Sequence, residues 1–466
     1  MTGERRMQVR DLHPAILIPR TVDRPMPQPV LSHPSEPDPD IAGAGVEALE
    51  RALALAPFYR RWRPFDPGPD ATVDARFAAL PALAKRDLRA HMPRGFVPTD
   101  RNLRAGMESG EVELVSTSGT TEDRSSVVWH QPWWDRSEQS AASLHSGLDQ
   151  VVRRLPREAV LTTPLCGGTV CHVGALSQED RTLGRLLFLN QQADPTRWTA
   201  AEMDRMLNEL ARFQPELLEA DPAYLAILSR HAAEQGVTPH QPRFITLTYE
   251  FPSRAHLRQI RRAFPAVSVL SSYGSTETGH VFVECEAGFF HQNTSCCRVD
   301  FQPVRPEVGD QRIGRILITQ LGNSWLSLLR FDVGDLVRTA DRPCPCGRAQ
   351  GLTLESIEGR TRDATFATDR RLVTVGALDR AIGALPGLLS YRLEQSAPNE
   401  YTFSFVAEPG AEAAVAGGAS APLLRLYGAG ARIAVQREAV IGAEQSGKFR
   451  LARALYAWET EEIFDL

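Results

Sequence analysis

Residues 116–124 read Ser116-Thr117-Ser118-Gly119-Thr120-Thr121-Glu122-Asp123-Arg124 and follow a short apolar run, Glu111–Val115, with strand character. Five hydroxyl side chains around one glycine make a loop rich in donors, suited to holding polyphosphate oxygens, and Arg124 brings a guanidinium that neutralises charge. Alone, such a run also reads as a solvated Ser/Thr turn. Its setting carries the fold. From about residue 110 to about residue 275, short apolar segments alternate with amphipathic ones. Strands are expected at Glu111–Val115, Glu158–Thr162, Arg185–Leu189, Glu216–Glu219, Arg243–Thr248 and Val267–Ser271, with helices such as Ala200–Arg212 and Tyr224–Glu234 between them. Alternation at this spacing implies an α/β domain built on a largely parallel sheet.

Working outward, Val46, Leu49, Leu53 and Leu55 space as one helical face from Gly45 onward, and a second helix is expected at Leu83–Ala90. The residues before Gly45 are punctuated by proline and read as an extended arm, 1–44. From Val281 to Val337 short strands dominate, at Gly288–His291, Arg298–Phe301, Arg312–Thr319 and Ser327–Phe331, predicting a β-rich part over 281–358. After Arg360 a small α+β unit follows: a helix at Val375–Ile382, strands at Leu388–Glu394 and Tyr401–Val406, and a last strand at Arg432–Gln436. The Ala/Gly-rich stretch Glu408–Pro422 reads as a loose helix or a loop. The boundary is expected at Glu358–Asp363, giving a large domain over 45–359 and a small mobile one over 360–466.

The chain has 466 residues, ample for a large core, and its 52 Lys+Arg against 57 Asp+Glu leave a net charge of -5. A general nucleic-acid binder would carry a basic excess. Apolar runs such as Ala52–Phe58 are too short to span a membrane, and Met1–Arg6 lacks the apolar core of a secretory signal. A cytoplasmic protein, monomer or homodimer, without nucleic-acid or membrane partners, is expected. Seven cysteines do not form a secreted disulfide framework. Cys344-Pro345-Cys346 and the pair Cys285, His291 supply four soft or borderline ligands, enough for a closed zinc site. The Cys-x-Cys spacing is not the commoner Cys-x2-Cys and by itself favours buried structural cysteines, with Cys296 and Cys297 as rival ligands or core thiols.

Further motifs follow in order: Tyr273-Gly274-Ser275-Thr276-Glu277, Arg330-Phe331-Asp332-Val333-Gly334-Asp335, Gly359-Arg360 and Ser446-Gly447-Lys448-Phe449-Arg450. The last mimics a P-loop, but Phe449 stands where a Ser/Thr should bind Mg2+. With the hydroxyl loop, this ordered set resembles the ANL superfamily of adenylate-forming enzymes. Within it, Ala84-Lys85-Arg86-Asp87-Leu88-Arg89, Cys285-Glu286 with His291, and Cys344-Pro345-Cys346-Gly347-Arg348 resemble phenylacetate–CoA ligase and its relatives.

The resemblance implies that Ser116, Thr117, Ser118, Gly119, Thr120 and Thr121 hold ATP phosphates. Tyr273, with Gly274 and Ser275, would face adenine, while Thr276 holds a phosphate oxygen and Glu277 ligates Mg2+. Asp335 would accept the ribose hydroxyls with Arg360 assisting, and Lys448 would stabilise charge as pyrophosphate leaves. Relatives with similar cysteines and histidine bind zinc, so Cys285, His291, Cys344 and Cys346 are implied as a structural zinc site. Gly167, Gly168 and His172 fall on the implied wall of an acyl pocket, with Tyr249 and Glu250 where relatives carry glycine and glutamate. Three positions depart from the usual pattern: Glu122 after the second loop threonine, Arg362-Asp363 at the pivot, and the bulky Tyr249. The implied activity is ATP-dependent activation of an aromatic or arylacetic acid to an acyl-adenylate, then transfer to coenzyme A. An amine or a carrier-protein thiol is the alternative acceptor, as in amide synthetases or diazotase-like enzymes of secondary metabolism; an inactive nucleotide-binding homologue is a remote alternative.

Overall fold

The structure, a computed structural model, describes residues 41–116, 126–164 and 176–464. The hydroxyl loop from Thr117 through Arg124 lies outside the described residues, as do Gly167, Gly168 and His172 and residues 1–40 of the expected arm, whose last four residues instead open the helix Ile41–Leu55.

Among the described residues, twelve strands form one sheet. Its first half is α/β: Leu186–Phe188, Glu158–Leu161, Leu217–Ala220, Phe244–Leu247 and Ser268–Ser275 lie side by side and parallel. The crossover helices include Ala200–Phe213, Pro222–Glu234 and Arg254–Ala263. Capping fixes their starts: Thr199 and Glu202 form a reciprocal capping box, and Asp221 accepts from the amides of Ala223 and Tyr224. The buried core here is Leu161, Leu187, Leu218, Ile245, Leu210 and Tyr224 with their neighbours.

Ser268–Ser275 then pairs antiparallel with Gly279–Glu284, and Phe290–Gln292, Thr353–Arg360, Phe331–Thr339, Ile313–Gln320 and Cys297–Pro303 continue antiparallel. The β-rich part is thus an extension of the same sheet. The expected strand at Glu111–Val115 takes no part in it. Glu113–Ser116 pairs antiparallel with Ser126–Trp129 in a separate two-stranded sheet, because those two runs flank the hydroxyl loop and close on each other. The apolar run Ser327–Phe331 is not a strand either, except at Phe331, which opens the strand Phe331–Thr339. Its amides are used by the N-terminal helices and a neighbouring threonine: Ser327 N donates to Phe96 O, Leu329 N to Tyr59 Oη and Arg330 N to Thr319 Oγ1. Leu326, Leu328 and Leu329 are buried against Leu49, Tyr59, Phe77 and Phe96.

The small domain has four strands, Arg432–Arg437, Glu400–Ala407, Leu388–Ala397 and Ala452–Ala454 in spatial order. The last of these, not Arg432–Gln436, ends the sheet's sequence; it is too short for a periodicity signal. The Ala/Gly-rich stretch is a true helix, Glu412–Tyr427, which buries Val415, Ala419, Leu423 and Tyr427. The two domains share apolar surface, since Ala255 of helix Arg254–Ala263 sits in the core formed by Leu378, Tyr391, Phe403 and Tyr427. Arg258 donates to the carbonyls of Gly383, Leu385 and Leu388, satisfying backbone acceptors across the same contact. No described helix is long and apolar enough to cross a membrane.

Candidate active site

In open α/β sheets, ligands bind outside the carboxyl ends of parallel strands. Here that edge carries Thr162, Thr248, Tyr249 and Glu250, and the small domain closes over it. Between them is a cavity of about 1440 Å³. Its lining brings together Gly274, Ser275, Thr276 and Glu277, then Asp335 and Arg360, then Tyr249, Glu250 and Lys448. Residues up to 199 positions apart in sequence therefore converge on one space.

On one side, the Tyr273 hydroxyl donates to Asp335 Oδ2 at 2.7 Å, and Arg360 Nε lies 3.6 Å from Asp335 Oδ1. A carboxylate has about four acceptor sites, so Asp335 can still receive further hydroxyls. At Gly274 an added Cβ would stand 2.3 Å from Gly279 O, so the chain can make this close crossing only without a side chain. Beyond it, Glu277 is 4% exposed, and its Oε1 has no hydrogen-bond partner. Lys85 Nζ approaches that oxygen at 3.7 Å. Lys85 is placed there by Leu83, which forms a parallel bridge with Phe331. A buried carboxylate oxygen lining a cavity, with an ammonium nearby but no hydrogen-bond donor, suits a hard cation such as Mg2+.

Lys448 reaches the cavity from the small domain on a turn in which Gly447 N donates to Glu444 O and Glu444 N to Lys448 O. Three ties hold this turn to the rest of the molecule. Tyr224 Oη donates to Gly447 O at 2.9 Å, Phe449 N donates to Glu250 Oε1 at 2.6 Å, and Arg450 Nε pairs with Asp363 Oδ1 at 3.0 Å. The departure at Arg362-Asp363 thus keeps one acid, which anchors the lysine turn. Lys448 Nζ donates to Tyr249 O at 3.3 Å. Burial and the Arg360 guanidinium hold Lys448 below the usual lysine pKa, opposed by Glu250, Asp221 and Asp335. Burial raises Asp221 to about 7 and Glu250 well above the usual carboxylate range.

Tyr249 adopts φ 73°, in the left-handed region that a tyrosine enters only under constraint. The constraint is visible at both ends: its carbonyl receives Lys448, and its hydroxyl donates to Glu219 Oε1. Glu219 has company, for Glu158 and Glu138 line the same cavity. Burial and mutual repulsion push Glu138 up to about 7 and keep Glu158 well above the usual range; burial raises Glu219 as well. A carboxyl raised in the fold keeps its proton there after the unfolded chain has lost it, so its stabilising contribution fades as pH rises through the folded value. Melting temperature is therefore expected to fall by a few degrees between about pH 5 and about pH 8, and Glu138→Gln to flatten that slope. An unchanged slope, followed by calorimetry, would show that Glu138 ionises freely.

Sequence reasoning missed Glu138, Glu158 and Glu219 and gave Lys85 no role. A signal existed for two of them: glutamates inside strands of a covered parallel sheet break the apolar run expected there.

Around the strand Phe290–Gln292, inside the antiparallel half of the sheet, Cys285, His291, Cys344 and Cys346 bring their ligand atoms within 4.8 Å of one another. Cys285 Sγ lies 3.6 Å from Cys344 Sγ, far beyond a disulfide bond, and Cys346 Sγ lies 3.2 Å from His291 Nε2. His291 Nδ1 faces Thr353 Oγ1 at 3.5 Å, which orients the ring. This set suits a metal ion. Cys296 and Cys297 stand apart from it: Cys297 donates to Asn293 O, and Cys296 contacts Ser140 Oγ.

No family model matches the chain. Over 338 residues it is 25% identical to the phenylacetate-coenzyme A ligase of Thermus thermophilus, covering 68% of this chain and 69% of that protein. Among solved structures, 2-hydroxyisobutyryl-CoA ligase in its postadenylation state with 2-HIB-AMP superposes with a TM-score of 0.67 at 18% identity, covering 89% of this chain and 88% of that one. The same ligase in an open conformation with 2-HIB-AMP and CoA gives 0.56 at 18% identity, with 90% and 91% covered. The chain thus has the two-domain fold of the ANL adenylate-forming ligases and is similar in sequence to a phenylacetate-coenzyme A ligase.

Proposed function

We propose that the protein activates a carboxylic acid with ATP and passes the acyl group to coenzyme A. The observation that carries this reading is the delivery of Lys448 by the small domain into the cavity that holds Tyr273, Thr276, Glu277, Asp335 and Arg360. A carboxylate oxygen of the acid attacks the α-phosphorus of ATP, the bond to the bridging oxygen breaks, and pyrophosphate leaves. The thiol sulfur of coenzyme A then attacks the acyl carbon, AMP departs and the thiol proton is released. Little covalent chemistry falls to the protein, which positions the reactants and stabilises charge. Tyr273 and Asp335 orient the nucleoside, Thr276 holds a phosphate oxygen, and Lys448 bridges the α-phosphate and the attacking carboxylate. Glu277 would hold Mg2+, which when bound neutralises phosphate charge. The small domain, over 360–466, rotates about Arg360–Asp363 between the two half-reactions.

The test is acid-dependent exchange of labelled pyrophosphate into ATP across a panel of aryl and arylacetic acids. Exchange with some acids and none without acid is expected; its absence across the whole panel would overturn the reading.

The metal at Cys285, His291, Cys344 and Cys346 is zinc, with a structural role. Tetrahedral zinc with bonds of about 2.3 Å to sulfur and about 2.0 Å to nitrogen sets ligand separations of roughly 3.5–3.8 Å, near the 3.6 and 3.2 Å seen between these pairs. Protein purified without chelator should contain about one zinc per chain by elemental analysis. Cys344→Ser should lose it and melt about 5 °C or more lower.

A further inference from the structure

The acyl end of the cavity is lined by carboxylates, which is an unusual surface to offer an acid. Glu219 faces Val160 across the pairing of strands Glu158–Leu161 and Leu217–Ala220, and Glu158 lies two residues before Val160 on the same face. Glu138, on helix Gln131–Ala142, lines the cavity with Trp134. Among the described residues none of the three makes an ion pair; the Tyr249 hydroxyl donates to Glu219, and the charges acting on Glu138 and Glu158 are one another, Glu219 and Asp135. Nor do they come together as a set that could hold a metal ion. A second observation points the same way: Thr162, 5% exposed, lines the cavity beyond Glu158, and its hydroxyl has no partner. Crowded carboxyls resist ionising until a cation or donor joins them, and a buried hydroxyl left unpaired is costly.

Carboxylates accept hydrogen bonds and, when ionised, donate none; an amino group is the matching group, with donors only when protonated and mainly donors when neutral. Trp134 adds an aromatic face that attracts a cation. The distance to be bridged is visible in Tyr249, whose carbonyl meets Lys448 and whose hydroxyl meets Glu219. We propose that the acid activated here carries an amino group at the end remote from its carboxylate, about one aryl ring away, received by Glu138, Glu158 and Glu219. The proposal rests on the carboxylate-activating reading for the orientation of this substrate.

Two measurements test it. In pyrophosphate exchange, phenylacetic acids bearing amino or aminomethyl groups are compared with their hydroxyl and methyl counterparts. The amino acids should have kcat/KM about 10- to 100-fold above the methyl ones, and Glu219→Gln or Glu158→Gln should cut that ratio about tenfold or more. Separately, calorimetry measures binding of benzylamine against benzyl alcohol, neither of which has a carboxylate to activate. The amine should bind more tightly, and the same variants should remove the difference. Equal binding of the two probes, or an amino preference unmoved by the variants, would overturn the proposal. Amine binding without exchange for any acid would leave the subsite standing and sink the adenylation reading instead.

Discussion

Lys448→Ala is expected to slow acyl-adenylate formation by about 10²- to 10³-fold, in line with removal of a preorganised charge-stabilising donor. Transfer from a supplied acyl-adenylate to coenzyme A should stay close to the unsubstituted rate, because the lysine has no part in attack by a thiol. Its surroundings explain why the loss should be large. Nζ is held by the Tyr249 carbonyl, and Glu250 and Asp221 favour the ammonium, so the charge is in place before substrate arrives. Burial and Arg360 work against it, which places an alkaline limit on adenylation below the range of an ordinary lysine. The rate should therefore fall as pH rises through that lowered value, and Lys448→Arg, which keeps its proton, should lack the limb. Equal loss of both half-reactions in Lys448→Ala would contradict the assigned role.

Gly447→Ala should produce nearly as large a loss of adenylation without touching a reacting group. Gly447 has φ 82°, and a Cβ there would stand 2.5 Å from Ala193 O, 2.6 Å from Thr163 Oγ1 and 2.7 Å from Tyr224 Oη. Two of these atoms belong to groups fixed by the large domain's own packing: the Ala193 carbonyl is backbone, and Tyr224 is fully buried. The turn must then withdraw, which breaks the Tyr224 contact and carries Lys448 away. Because the clash is confined to the docked turn, the melting temperature should change by about 2 °C or less while the adenylation rate falls by about 10²-fold. A rate near that of the parent protein would mean that the turn docks loosely during catalysis.

The alternation of apolar and amphipathic segments made the parallel half of the sheet legible, since its strands are covered on both faces and its helices carry clear caps. The ordered motifs pointed to Tyr273, Glu277, Asp335 and Lys448, four residues that line one cavity. What could not be read was whatever depends on partners distant in sequence. Ser327–Phe331 has a strand's composition, yet its amides are taken by Phe96, Tyr59 and Thr319. Ala452–Ala454 has too few residues to show a period. Lys85 stands in the sequence only as one residue of the motif Ala84–Arg89, and its approach to Glu277 depends on the bridge between Leu83 and Phe331. Glu138 sits on a helix whose polar residues gave no hint of which face turns inward.

One strand, Ser268–Ser275, is parallel to its neighbour through Ser271 and antiparallel to the next from Ser272. Ser271 and Ser272 line the cavity, as do its last three residues, Tyr273 to Ser275, which the proposed function assigns to the nucleotide. That continuity makes the strand a ruler: the separation between the two halves of the reaction centre is a fixed number of extended residues rather than the product of two loops. Redesign of substrate size must therefore work from the walls, at Glu138, Glu158 or Tyr249, because an insertion in the ruler would misalign both reactants at once.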